Sequence, residues 1–175
     1  TAEHSSTESF NANLFNNQQV KYSSTDNKWA YENTKYWPTE GHIDFLAYAP
    51  YDATKTALTD SKSKISFTVD EDIAEQKDLL WANATGQITA NGGSTQEKVK
   101  IHFYHALSRL GYSVKLYGDY SSSNAIFTLK SIKLAGSSDG TKGAFYETGT
   151  IDLSKPNGDA NLWSNSTGQK KFDWF

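Results

Sequence analysis

The chain has 175 residues, enough for one domain with a buried core. Its net charge of −3 comes from 17 basic and 20 acidic side chains with no basic patch, which disfavours nucleic acid as a partner. Cysteine is absent, so disulfides, zinc ribbons and thiol catalysis are excluded, although a domain of this size can be exported without staples.

Aromatics make up 14% of the chain, beside abundant Ser, Thr and Asn, and this is the composition of a β protein. No apolar run is long enough to span a bilayer, and no stretch of the 175 residues reads as a signal peptide. Met is absent too, so we expect any targeting segment to have been removed.

Residues 1–19 are polar, with Phe10, Leu14 and Phe15 as the only anchors, which predicts a mobile lead with a short edge strand near Phe10–Phe15. Val20–Ser23 and Lys28–Tyr31 read as a hairpin with Ser23–Asn27 as its loop. A loop holding Tyr36-Trp37-Pro38 follows, with Trp37 pushed to extended geometry by Pro38. His42–Ala49 alternates as a strand. Ile43, Phe45 and Ala47 share one face, but Leu46 and Tyr48 make the other face apolar too, so the strand should be central or covered. After a linker from Tyr51 to Ser63, Ile65, Phe67 and Val69 give a strand, then a charged turn begins at Asp70-Glu71-Asp72. Asp78–Ala82 is a short apolar strand, and Asn91-Gly92-Gly93 is a loop.

Lys98–Tyr117 is the stretch around which the rest is organised. Val99, Ile101 and Phe103 alternate with Lys100, His102 and Tyr104. The good helix formers of 105–111 follow, ending at Gly111, and then Tyr112, Val114 and Leu116 alternate again. Seven residues at helical rise cover roughly 10 Å, the spacing of two packed sheets, so the unit reads as an arch between sheets. On this parity Phe103 and His105 enter the core and His102 faces solvent. Ile126–Leu134 reads as a further strand with a bulge near 129–132, Ser138-Asp139-Gly140 as a hairpin turn, and Ala144–Glu147 and Thr150–Leu153 as two short strands. The tail beyond Pro156 carries Trp163, Phe172, Trp174 and Phe175 as late anchors. Strands every 8 to 12 residues or so, with turns between, are the mark of a sandwich or barrel.

No constellation of catalytic, cofactor or metal residues stands out. His102 and His105 are three apart, but opposite strand parity keeps them from sharing a metal. His4 and His42 have no cluster around them. Asp70, Glu71 and Asp72 lack a calcium-loop pattern and read as a solvated turn. Ser108 follows His105 by three residues, a spacing more often structural than nucleophilic. No phosphate loop or nucleophile elbow occurs, so no cofactor is implied. Trp29, Trp37, Trp81, Trp163 and Trp174 could form a glycan platform, though a β core commonly uses such rings itself. Asn83-Ala-Thr85 and Asn165-Ser-Thr167 match the N-glycosylation triplet.

Four segments, in order over Tyr36–Tyr146, resemble the fimbrillin-like proteins of Bacteroidales, subunits and anchors of surface pili. They are Tyr36-Trp37-Pro38 with Asp44–Pro50, then Gln76–Ala82, then the arch read as V-x-I-x-F-x-H-A-L-S-R-L-G-Y-S-V, and Ile132-Lys-Leu with Phe145-Tyr146. The resemblance implies an all-β, two-sheet transthyretin-like Greek-key sandwich, the N-terminal one of the family's usual two domains, with one short helix at the crossover between sheets. We expect a mobile lead over 1–19, the sandwich over 20–155 and an extension over 156–175 that adds a strand or begins a second domain.

The resemblance also implies a non-enzymatic pilus subunit or adhesin. Such proteins are exported as outer-membrane lipoproteins, trimmed at an arginine, and joined to neighbouring subunits by a donated strand. Host or bacterial surface ligands are further expected partners. This chain departs from the pattern: it has no lipidation Cys, and its only Arg is Arg109, inside the arch. Too few residues follow Tyr146 for a full second domain, so an isolated domain or trimmed chain is expected. The rival reading is a surface glycan-binding module that uses exposed aromatics.

Overall fold

The computed structural model describes residues 2–4, 12–53, 63–88 and 99–175. In chain order they form β1 (Ala2–His4), β2 (Lys21–Ser23), β3 (Lys28–Ala30), β4 (Ile43–Ala49), β5 (Lys64–Thr68) and β6 (Leu80–Gln87). There follow β7 (Tyr104–His105), β8 (Lys133–Leu134), β9 (Phe145–Asp152), β10 (Trp163–Lys170) and β11 (Phe172–Asp173). The sheet orders are β1-β4-β6-β7 and β10-β9-β5, with two-stranded ribbons β2-β3 and β11-β8. Every pairing between these strands is antiparallel.

β4 forms where aromatic and aliphatic side chains occupy both parities, and it lies between β1 and β6 as that pattern requires. Leu46 and Tyr48 sit opposite Asn83 and Trp81 of β6. On the other face Phe45 is covered by Phe15 and Trp37, with ring centroids 6.5 and 6.1 Å away. β5 shows the simpler half-buried pattern. Ile65 is buried, while Ser66 and Thr68 face outward beside Thr150 and Thr148, their hydroxyl oxygens 3.4 and 3.0 Å apart.

The buried cluster joins the two larger sheets. It takes Leu46 from β4, Leu79 and Trp81 at the start of β6, Ile65 from β5, and Ile151 and Leu153 from the end of β9. Each such side chain contributes on the order of 1.5–3 kcal/mol on burial. Asn83 ties the sheets with polar bonds as well, its Nδ2 donating to the carbonyls of Leu153 (3.2 Å) and Lys155 (2.8 Å).

The hairpin at 21–30, the strands at 43–49 and 64–68, and the turn at 138–140 stand where the pattern predicts them. The turn rests on Gly140 at φ 70° and on Asp139, which accepts bonds from Ser137 Oγ, Thr141 N and Thr141 Oγ1. Phe172 is buried opposite Leu134, and Trp174 stacks on Tyr112 at 5.3 Å. Within 1–19, Ala2–His4 pairs with Ile43–Phe45, and within 156–175, β10 pairs with β9. Two strands run longer than predicted: β6 continues through Gln87, and 145–152 is one strand, not two, because Thr148 pairs with both neighbours and Gly149 keeps its pairing to Phe67 of β5 while the β10 side shifts register.

The arch is corrected. No α-helix forms at 105–111. Seven residues make under two turns, too few to offset helix nucleation, and their backbone gains more by pairing. His105 and Tyr104 pair with Leu80 and Trp81, and Ala106 N donates to Leu79 O at 2.8 Å. Phe103 is 46% exposed and the His105 side chain 77% exposed, so neither enters the core; His102 is exposed as expected. Residues 112–117 form no strand, and of 126–134 only Lys133–Leu134 pairs, with no bulged strand near 129–132. Alternation tells which side chains can share a face; it does not supply the neighbouring strand. Phe10, the loop at 91–93 and most of the 51–63 linker lie outside the described residues.

Candidate functional site

Residues 104–108 cross from one sheet to the other as an extended strap. The His105 imidazole pairs with the Asp78 carboxylate through Nδ1, and Ala106 N holds Leu79 O. From the opposite sheet Trp163 Nε1 donates to Ala106 O at 3.3 Å. The strap therefore bonds to both walls, and Ala106 and Leu107 pack against the core cluster.

Beside the strap, the face of β5-β9-β10 is closed by the core at Ile65 and Ile151 and opens farther along, at Phe67 and Val69. A groove of about 300 Å³ runs there, lined by Phe67, Val69, Leu107, Gly149, Trp163 and Ser166 among others. Gly149 makes its floor: a Cβ there would stand 2.9 Å from Trp163 Cε3 and 3.2 Å from Cζ3. The absence of a side chain lets the indole approach the strand this closely. Val69 N donates to Glu147 O at 2.9 Å, extending the β5–β9 ladder along the groove. At the rim, Lys170 pairs with Glu71 and lies 3.7 Å from Glu147. The bond to Glu71, aided by the Glu147 charge, raises the Lys170 pKa.

Two further features bear on this region. The Trp81 indole N–H, fully buried, has no acceptor among the described residues, a deficit of about 1–3 kcal/mol. The strand-patterned segments at 112–117 and 126–131 have no sheet partner among the described residues, and leave Val114, Leu116, Ile126 and Phe127 exposed.

The residues singled out from the sequence scatter. His42 lies 3.6 Å from Asp44, far along β4 from the strap. Asp70 and Asp72 accept backbone N–H bonds from Asp72 and Ala74, both at 2.9 Å, and so build the charged turn. Ser108 is exposed at the mouth of the groove. Among the described residues no group of three or more His, Cys, Asp or Glu could hold a metal. The tryptophans form no shared platform: Trp81 is in the core, Trp37 packs on Phe45, Trp163 floors the groove and Trp174 stacks on Tyr112. Sequence reasoning missed the groove itself. Its available signal was Gly149, which read as a break between two short strands and in the structure lies inside one.

This architecture is that of an antiparallel β domain with an apolar groove beside the strap. A family model described as fimbrillin-like matches residues 1–172. The chain belongs to the fimbrillin-like family, a structural family of fimbrial subunits, which places it in a cell-surface appendage assembled with other subunits. Comparison with curated proteins and with solved structures returns no significant match.

Proposed function

We propose that this chain is a structural subunit or adhesin of a Bacteroidales surface fimbria, and that it assembles by accepting a strand from a neighbouring copy into the groove beside the strap. The observation that carries this reading is the groove on the open face of β5-β9-β10, apolar along Phe67, Val69, Leu107 and Trp163. A strand laid there would cover apolar surface at about 25 cal/mol per Å² and place alternate side chains in the groove. On this reading residues 20–155 form the body of a transthyretin-like Greek-key sandwich, and 156–175 complete it with β10 and β11. The chain performs no catalysis; its work is mechanical and adhesive. We extend the proposal to export as a lipoprotein and display on the outer membrane, which finding a lipidation Cys encoded ahead of Thr1 would support and a complete upstream sequence without one would oppose.

The assembly step is tested by native mass spectrometry of the purified chain over a concentration series. A ladder of oligomers is expected, and it should vanish in Val69→Asp and Leu107→Asp while monomer melting stays cooperative. Oligomers that survive both substitutions place the joint elsewhere.

A further inference from the structure

A second depression, of about 450 Å³, opens between residues 16–19, the β2–β3 hairpin and Tyr51. It shares no lining residue with the assembly groove. Its chemistry is also different. Asn16 and Gln19 bring carboxamides to its lining, Gln18 lies between them with its Nε2 donating to Gln19 O at 3.0 Å, and Tyr22, Tyr31 and Tyr51 bring three phenol rings, the Tyr22 hydroxyl donating to Asn27 Oδ1. Lys21 and Glu32 supply one charge of each sign.

The wall is built rather than incidental. Asn17 is 6% exposed and sits in the left-handed region at φ 47°, a conformation Asn tolerates. Its Nδ2 donates to Asp52 O at 3.1 Å, and its Oδ1 lies 2.7 Å from the Tyr48 hydroxyl. Burial raises the Tyr48 pKa, so that hydroxyl stays a neutral donor. These bonds fix the 16–19 segment to β4 and to the 51–52 turn. Phe15 packs edge-on against Tyr31 at 5.0 Å, which holds a second wall. Among the described residues the carboxamides of Asn16 and Gln19 make no hydrogen bond within the chain. Trp29, 70% exposed, meets Tyr22 edge-to-face at 5.6 Å and widens the aromatic surface on the hairpin.

Several ligand classes fit poorly. A phosphate or sulfate wants net positive charge, a metal wants converging carboxylates, and a hydrophobic molecule wants a largely apolar lining. A neutral sugar wants what is here. Adjacent hydroxyls both donate and accept, as a carboxamide does, while the C–H faces of the ring lie on aromatic faces. A cleft of this volume is within the ~300–1,000 Å³ range of small-ligand sites. We propose that the cleft binds a neutral oligosaccharide, so that an assembled subunit carries a sugar-recognition site apart from its joint.

The test uses the full chain, fluorescently labelled, on a printed array of neutral hexose and N-acetylhexosamine oligosaccharides. Sialylated and sulfated glycans and a peptide set serve as comparators. Retention on neutral glycans is expected, weakened about tenfold in Asn16→Ala/Gln19→Ala, the scale of one or two net hydrogen bonds. Val69→Asp, in the groove, should leave the monomer's affinity for the retained glycan, titrated in solution, unchanged even where lost oligomers reduce retention on the array, which separates this site from assembly. No retention on any neutral glycan overturns the proposal, as does retention indifferent to the double substitution or confined to charged glycans or peptides.

Discussion

Gly149→Ala is the most discriminating single change. Gly149 is not among the positive-φ glycines, so its backbone accepts a side chain; the conflict is with Trp163. The new methyl would meet Trp163 Cε3 at 2.9 Å, Cζ3 at 3.2 Å and Ser166 Oγ at 3.4 Å. Carbon pairs prefer roughly 3.5–4.0 Å, so the indole must retreat by about half an ångström or more. The ring has little freedom to do so, because its Nε1 holds Ala106 O and its body packs on the core cluster. Overpacking of this kind costs about 1–3 kcal/mol, and the reduced freedom of the unfolded chain returns about 0.4–1. A net loss of about 1–2 kcal/mol is expected, a fall in Tm of roughly 2–8 °C for a domain of this size. Thermal and urea melts of the variant beside Trp163→Leu and the double variant complete a thermodynamic cycle. Trp163→Leu frees the space over position 149, so the two changes should couple by more than about 0.5 kcal/mol in the compensating direction. A Gly149→Ala protein as stable as the parent, or additive single effects, would show that the indole does not rest on this glycine.

Three other outcomes are expected. Phe103→Ala should cost well under the roughly 3–5 kcal/mol of a buried Phe, whereas Leu79→Ala, at a site 1% exposed, should cost about 2–5; denaturant melts rank them, and the reverse order contradicts the strap. Asn83→Leu leaves the Leu153 and Lys155 carbonyls without their donor and should destabilise by about 1–3 kcal/mol, while Asn83→Asp should do no better; a neutral Asn83→Leu melt removes the inter-sheet tie. Hydrogen bonds from Ser137 and then Thr141 lower the Asp139 pKa to about 2. Its depressed folded-state value means that its contribution to stability is present above the ordinary carboxylate range and fades as pH falls through about 2. Carboxyl NMR should place its midpoint there, and Ser137→Ala with Thr141→Ala should move it upward; a midpoint near 4 in the parent refutes the turn geometry.

What could be read from the sequence divides by the range of the interactions involved. The 43–49 strand was legible because apolar residues on both parities demand cover on both sides, and Phe15, Trp37 and the core provide it. The 21–30 hairpin and the 138–140 turn were legible because Ser, Asp, Asn and Gly settle them locally. The arch was misread because Val99, Ile101 and Phe103 alternate whether or not a strand lies beside them. The decisive contacts, Asp78 to His105 and Trp163 to Ala106, join residues 27 and 57 positions apart, and no local period encodes them. The groove was hidden for the same reason, since Phe67, Gly149 and Trp163 meet only after β9 has paired on both sides.

The carboxamide of Asn83 has a practical consequence for producing this protein. It is the acceptor position of an Asn-Ala-Thr triplet, yet both of its N–H groups are engaged by backbone carbonyls across the sandwich. A eukaryotic secretory host that attached a glycan there during synthesis would replace one of those hydrogens with a bulky sugar before the sheets closed. Material made in such a host should therefore carry a built-in folding defect that bacterial expression avoids, and Asn83→Gln would trade the lesion for a lost tie rather than cure it.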